Sequence, residues 1–427
     1  MKAITVEPGK PGSARFEDVP EPEAREGSVL VEAVAVGVCG TDVEIAEGKY
    51  GWAPPGHTRL VLGHESLGRV IDPGFSSSFE KGDLVVGFVR PPDPVPCLNC
   101  AVGEWEMWRN DQYTARGIKQ IHGFMSERWR IEPEYAMKVD RSLGILGVLL
   151  EPTTVVAKAW EQVVAVGQRS FWEPRTVLVT GAGPIGLLAA LLGQQRGLDV
   201  HVLDRVESGP NPELVRALGA TYHAGRIADI GFQPDVVVEC TGVGQVISDS
   251  IRSIAAGGIV CLTGVGSGGR TLGLPTADIA AEVVLRNNVI VGSVNANKRG
   301  PSLAGTAADA PRGAGAVRAG ARAFGRRHQG GRPVQRGVTA PAKTTHTGRE
   351  SASGRPEGLG RPLTGSILNT VVVAESWLAT RSQRPVGSIA KWRGVRPPTA
   401  TRPAGVRVPA FASIAKRAML SSPRLDA

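Results

Sequence analysis

Thr176-Val177-Leu178-Val179-Thr180-Gly181-Ala182-Gly183-Pro184-Ile185-Gly186-Leu187-Leu188-Ala189-Ala190-Leu191-Leu192 reads as a buried strand, a glycine turn and a helix in direct succession. Each glycine has a separate physical task. Gly181 permits the tight turn, Gly183 lets the backbone approach a pyrophosphate, and Gly186 lets the helix pack closely on the strand. The helix opening at Pro184 and Ile185 points its unpaired N–H groups and positive dipole end at phosphates. Alone, G-x-G-x-x-G is a weak signal, because structural turns share it. Here the next strand ends at Asp204, 21 residues after Gly183, where an acid can accept hydrogen bonds from an adenosine ribose. Asp204 favours NAD by repelling a 2′-phosphate, while Arg205 beside it offsets that charge and admits NADP. Both cofactors stay open.

Downstream, strand-like runs recur at Val200-His201-Val202-Leu203, Val236-Val237-Val238, Ile259-Val260-Cys261-Leu262 and Val289-Ile290-Val291, with helical stretches between. That alternation predicts a parallel sheet covered by helices on both faces. Upstream the period changes. Ser28 to Val36 and Gly82 to Phe88 alternate apolar and polar residues between Gly and Pro, the pattern of an all-β, barrel-like domain. The expected α/β organisation is a barrel-like domain at 1–150, a doubly wound dinucleotide domain at 151–299 and a basic tail at 300–427.

Charge separates the tail from the rest. The 427 residues carry a net +9, yet residues 301–427 hold 21 Lys+Arg against 5 Asp+Glu, so the preceding part is mildly acidic. Beyond Arg299 the periodicity stops and Gly, Pro, Ala and Arg dominate; only Ile367 to Val373 looks strand-like. Such a composition cannot offset the entropy of ordering, so disorder is expected. Two readings compete: a basic arm for nucleic acid, and out-of-frame translation of a GC-rich gene. The abrupt break and the lack of aromatic interleaving favour the second, and nucleic acid is not the expected partner. No run of about 20 apolar residues suggests a membrane span, and Met1-Lys2 leads into a strand-like segment rather than a secretory leader. Five cysteines, odd in number and sparse, fit a reducing, cytoplasmic setting.

Before the glycine turn lie Gly37-Val38-Cys39-Gly40-Thr41-Asp42, Gly63-His64-Glu65 and Leu149-Leu150-Glu151-Pro152. They offer thiolate, imidazole and carboxylate, the donors that zinc takes, and a catalytic zinc needs three with one position left open. Singly, Cys39 reads as a core thiol, His64 as a turn residue and Glu151 as a helix-start acid. Together, ahead of a dinucleotide fold, they read as a metal centre.

In this combination the chain resembles the medium-chain zinc-dependent alcohol dehydrogenases, specifically their microbial glucose dehydrogenase branch. Ala115-Arg116-Gly117-Ile118, His122 to Met125, Glu132 to Tyr135 and Gly292-Ser293-Val294-Asn295-Ala296-Asn297 carry the narrower likeness, which spans about residues 1–299. The resemblance implies a GroES-like β-barrel catalytic domain and a Rossmann domain. It implies Zn²⁺ on Cys39, His64 and Glu151, with Glu65 close by to exchange or support. It implies a substrate contact and proton relay at Thr41, and a pyrophosphate on Gly181, Gly183, Pro184, Ile185 and Gly186. It also implies a ribose at Asp204 and Arg205, and a nicotinamide edge at Thr263, Gly264, Val265, Ser293, Val294 and Asn295, with Glu151 and Asn295 near the sugar. The implied reaction oxidises an aldose at C1 to the lactone with hydride transfer to NAD or NADP. Other polyol or alcohol oxidation, an inactive truncated product and a nucleic-acid-binding tail are the alternatives.

Relatives hold a second, structural zinc with four cysteines. Here Cys97 and Cys100 remain, Gly103 and Asp111 stand at the other two places, and Trp108 lies nearby. Two thiolates and one carboxylate predict a poor structural site. The branch has Glu where Ala115 stands, which weakens sugar binding. Relatives also continue past the Asn-Lys-Arg run into a returning segment and pair through the edge strand near 289–294. Losing that segment predicts exposed apolar faces, and the oligomeric state stays open, a homo-oligomer being one candidate.

Overall fold

The computed structural model describes residues 1–266 and 276–296. The expected tail at 300–427, with its strand-like Ile367 to Val373, lies outside the described residues.

The first 150 residues build sheets around alternating apolar side chains. Strands β1 (Lys2–Val6), β2 (Arg15–Asp18) and β3 (Val29–Gly37) lead to the helix α1 (Gly40–Ala46). Next come β4 (Leu60–Val61), β5 (Glu65–Asp72), β6 (Leu84–Gly87), α2 (Leu98–Ala101), β7 (Ala115–Arg116), β8 (Gln120–Ile121), β9 (Arg128–Ile131) and β10 (Ala136–Val139). The strand order is β10-β6-β5-β3-β9 in the larger sheet and β2-β1-β4 in the smaller. Val29 and Val31 of β3, Val70 of β5 and Val85 of β6 bury one core with Phe124, Trp129 and Ile131. Leu67, Leu84, Val86 and Val139 face a second core that takes in Leu150. The period of two set by the pleat thus fills both faces.

Helix α3 (Leu150–Gly167) joins this part to the second. The helical stretch Arg141–Gly167 is apolar and long enough to cross a membrane by composition, yet 72% of its window is buried inside the protein. Trp160 shows where that apolarity goes. It is buried among Val163, Val177 and Leu188, and its indole donates to the Ala189 carbonyl at 3.2 Å. Each such large side chain contributes about 1.5–3 kcal/mol on burial.

The second part alternates as the sequence predicts. Its elements are β11 (Thr176–Thr180), α4 (Pro184–Gln195), β12 (Asp199–Asp204), α5 (Pro210–Ala217), β13 (Thr221–Ala224), β14 (Val236–Glu239), α6 (Gly244–Ser253), β15 (Ile259–Leu262), α7 (Thr276–Leu285) and β16 (Val289–Gly292). All strand pairs are parallel, in the order β13-β12-β11-β14-β15-β16. The order reverses at β11, and the crevice beyond the strand ends at such a point is where open α/β sheets bind ligands. Strand β13 was not expected: Thr221-Tyr222-His223-Ala224 is too short and polar to read as one.

Candidate active site

Strands β3 and β5 run antiparallel with Gly37 opposite Glu65. The chain therefore leaves β3 toward Cys39 beside the point where it enters β5 from His64. Cys39 caps α1: its sulfur accepts the Thr41 N–H at 3.3 Å, and Asp42 accepts the Cys39 N–H at 3.0 Å. This reciprocal cap fixes the thiol. Cys39 Sγ lies 3.0 Å from His64 Nε2. On the other side of the ring, Nδ1 meets Asp42 Oδ1 at 3.4 Å, an ionic contact without an aligned hydrogen bond. Glu65 occupies space that only glycine leaves: a Cβ at Gly37 would stand 2.0 Å from Glu65 Oε2.

One donor atom each from Cys39, His64 and Glu65 lie within 4.8 Å of one another. Glu151, in the first turn of α3, is not in that group. Glu65 thus lies inside the cluster, and Glu151 acts on it by charge from the first turn of α3. Burial, reinforced by the Glu151 charge, pushes the Glu65 carboxyl up to about 8, against the pull of His64. Burial likewise raises Glu151 to about 7, with His64 opposing it. For His64, burial alone would lower the pKa; the Asp42 and Cys39 charges outweigh it and raise it well above the usual range. The cluster is a buried excess of negative donors, and a cation satisfies it. A thiolate, an imidazole and carboxylates fit zinc in particular.

The glycine turn has the shape a pyrophosphate requires. Gly183 is the residue immediately before α4, Pro184 opens the helix, and Gly181 has φ +88°. A Cβ at Gly186 would stand 1.8 Å from the Gly181 carbonyl oxygen. Asp204 Oδ2 accepts the Ala182 N–H at 2.8 Å, so the acid at the end of β12 steadies the turn. Its other oxygen accepts the Arg205 N–H at 2.7 Å.

Glu239, at the end of β14 and fully buried, was not singled out in the sequence. Its carboxylate accepts from Thr180 Oγ1 at 3.2 Å, from the Thr241 N–H at 2.7 Å and from the Gly242 N–H at 3.1 Å. Its main-chain carbonyl accepts the N–H groups of Thr263 and Gly264 at 2.8 and 2.9 Å. One residue therefore fixes the loops after β14 and β15 on which the expected nicotinamide edge lies. Val265 of that loop is exposed. Ser293 donates its N–H to Leu262 at 2.9 Å, and one cavity is lined by Arg90, Trp105, Glu151, Thr154, Asn295 and Ala296. That cavity brings a residue beside the donor cluster together with one beyond β16.

The family model of the alcohol dehydrogenase GroES-like domain matches residues 25–141, and that of the glucose dehydrogenase C-terminus matches residues 144–308. A glucose 1-dehydrogenase of Methanocella arvoryzae is 39% identical over 306 residues, covering 70% of this chain and 85% of the relative. The chain belongs to the medium-chain zinc-dependent alcohol dehydrogenases, in their glucose dehydrogenase branch. Glucose 1-dehydrogenase 2 of Vulcanisaeta moutnovskia is 41% identical over 301 residues, covering 69% of this chain and 84% of the relative. The solved Haloferax mediterranei glucose dehydrogenase, in complex with NADP, Zn and gluconolactone, superposes with a TM-score of 0.66 at 32% identity. The match covers 71% of this chain and 87% of that one.

Against this glucose dehydrogenase background the cysteine lobe needs a correction. The carboxylate expected beside Cys97 and Cys100 was Asp111, which is exposed at φ +59°. The structure instead groups Asp93 with the two thiols within 4.8 Å. Asp93 is buried and neither of its carboxylate oxygens has a hydrogen-bond partner. The proline-rich run Pro91-Pro92-Asp93-Pro94-Val95-Pro96 turns that acid inward.

Proposed function

We propose that this chain is a zinc-dependent, NAD(P)-linked dehydrogenase that oxidises glucose at C1 to the lactone. The division at residue 150 separates its metal-binding part from its dinucleotide-binding part. The observation that carries this reading is the buried Cys39, His64 and Glu65 cluster, its donors within 4.8 Å of one another. The Haloferax relative binds NADP, Zn and gluconolactone, and the same chemistry suits the residues present here.

Cys39, His64 and Glu65 would hold the zinc with Glu151 adjacent. When bound, it supplies Lewis acidity to the sugar hydroxyl. Asp42 holds the imidazole by charge, as carboxylates behind metal-bound histidines do. Gly181, Gly183, Pro184, Ile185 and Gly186 receive the pyrophosphate, and Asp204 with Arg205 the adenosine ribose, leaving NAD and NADP both admissible. Thr263, Gly264, Val265, Ser293, Val294 and Asn295 border the nicotinamide. Glu151 and Asn295 reach the sugar through the cavity they share. Held at these residues, the nicotinamide would supply the acceptor for the hydride of the sugar C1–H bond. The hydroxyl proton leaves by way of Thr41, and lactone, reduced cofactor and a proton result. Ala115, buried in β7, offers no carboxylate to the sugar, so weak glucose affinity goes with this reading. Five unpaired thiols are compatible with the reducing cytoplasm that goes with this reading.

The test is glucose-dependent formation of reduced nicotinamide by the full chain. Activity should be abolished by EDTA and restored by zinc. Folded, zinc-loaded protein that oxidises neither glucose nor any other aldose with either cofactor overturns the proposal.

A further inference from the structure

Helix α3 carries Glu151, Thr154 and Lys158 at positions i, i+3 and i+7, a spacing that sets them on one helical face. Glu151 and Thr154 line the cavity. Lys158 lies two turns on, roughly 10 Å along the axis, and is only 2% exposed. Its ammonium donates to the Val294 carbonyl at 3.0 Å. A buried ammonium is costly. Burial lowers its pKa, and the Glu106 carboxylate pulls the other way. Methionine would fill the same volume without that cost, so the ammonium has a task.

The neighbouring residue is held from the other part of the molecule. Arg90 stacks on Tyr113 with its guanidinium carbon 4.1 Å from the ring centroid. With the Asn295 amide turned so that its oxygen faces the guanidinium, Arg90 donates to it at 2.5 and 3.2 Å. Asn295 has φ +64°, the left-handed region that Asn enters more readily than other non-glycine residues. Two cations thus grip consecutive residues of one short segment, Lys158 by the main chain and Arg90 by the side chain.

We propose that Lys158, together with Arg90, is a positioning residue that seats the segment from Ser293 to Asn295 against the cofactor. It does so from the helix that also presents Glu151 to the donor cluster. This rests on the reading of Ser293 to Asn295 as the nicotinamide edge. Cofactor affinity, more than metal affinity, should therefore depend on an ammonium in the middle of α3.

The experiment compares the zinc-loaded full chain with Lys158→Met, Lys158→Gln and Arg90→Gln. It measures the Kd for NADPH by nicotinamide fluorescence, the KM for cofactor and for glucose, and zinc content. A lost charge-assisted hydrogen bond corresponds to a rise of about tenfold or more in Kd and in cofactor KM for K158M, with zinc content held. K158Q, which keeps an N–H donor, should recover part of the loss, and R90Q should weaken binding in the same direction. NADPH binding by K158M equal to that of the parent overturns the proposal. So does a K158Q no better than K158M, or zinc lost in step with cofactor. Should K158M fail to fold, parent-like binding by both K158Q and R90Q overturns it. A parent chain that binds neither NADPH nor NADH fails earlier and takes the functional reading with it, so the two failures are distinguishable.

Discussion

Asp42 serves three partners with one carboxylate: the Cys39 N–H, the Gly63 N–H at 3.3 Å and the His64 ring. Without it, His64 Nδ1 would be buried with no counter-charge and the cap on α1 would open. Asp42→Ala should therefore weaken zinc binding about 10- to 100-fold, read by competition with a chromophoric chelator. Asp42→Asn should fall between, and an unchanged affinity in D42A would show that thiol and imidazole need no such support. At this scale the sequence was legible where chemistry is rare: one thiol and one imidazole, each next to a glycine. It was silent where a role depends on what the fold brings opposite. Asp93 is an ordinary acid until the proline-rich run folds it onto Cys97 and Cys100. Lys158 reads as a surface cation until α3 is buried. Asp111 matched a spacing, but its backbone turns it to solvent.

The β11–turn–α4 unit shows how little freedom a functional element has. A Cβ at Gly186 would sit 1.8 Å from a main-chain oxygen, so the helix itself would have to move. Gly186→Ala is expected to lose about 1–3 kcal/mol or more of stability and to displace the N–H groups at the helix start. Thermal unfolding with and without NADPH measures both effects. The variant should melt lower and lose most of the ligand-induced rise in Tm; a full rise would mean that the helix start is unmoved. The element was readable because its hydrophobic period, its glycines and its acid at Asp204 agree with one another. The same agreement gave β14, β15 and β16 to within a residue. Strand β13 escaped because its pairing with β12, not its composition, makes it a strand.

For the molecule as a whole, the sheet's far side is the exposed one. Among the described residues β16 is an edge strand, paired only with β15. Ile290 on it is 41% exposed, Val294 just beyond it 53%, and Val284 and Leu285 at the end of α7 are 73% and 81% exposed. An edge with free main-chain groups flanked by apolar side chains is a template for another copy of the same edge. Self-association through β16 follows, growing with concentration over about 1–100 µM, as sedimentation velocity would show. Ile290→Lys places a charge on that edge without touching the glycine turn or the donor cluster, and it should shift the population toward monomer. Zinc content and cofactor binding should stay as in the parent. If the parent sediments as one monomeric species throughout that range, the exposed edge is tolerated by a single chain and the pairing is refuted. If I290K associates as readily as the parent, the contact uses another surface, and Val284 with Leu285 would be the next residues to charge.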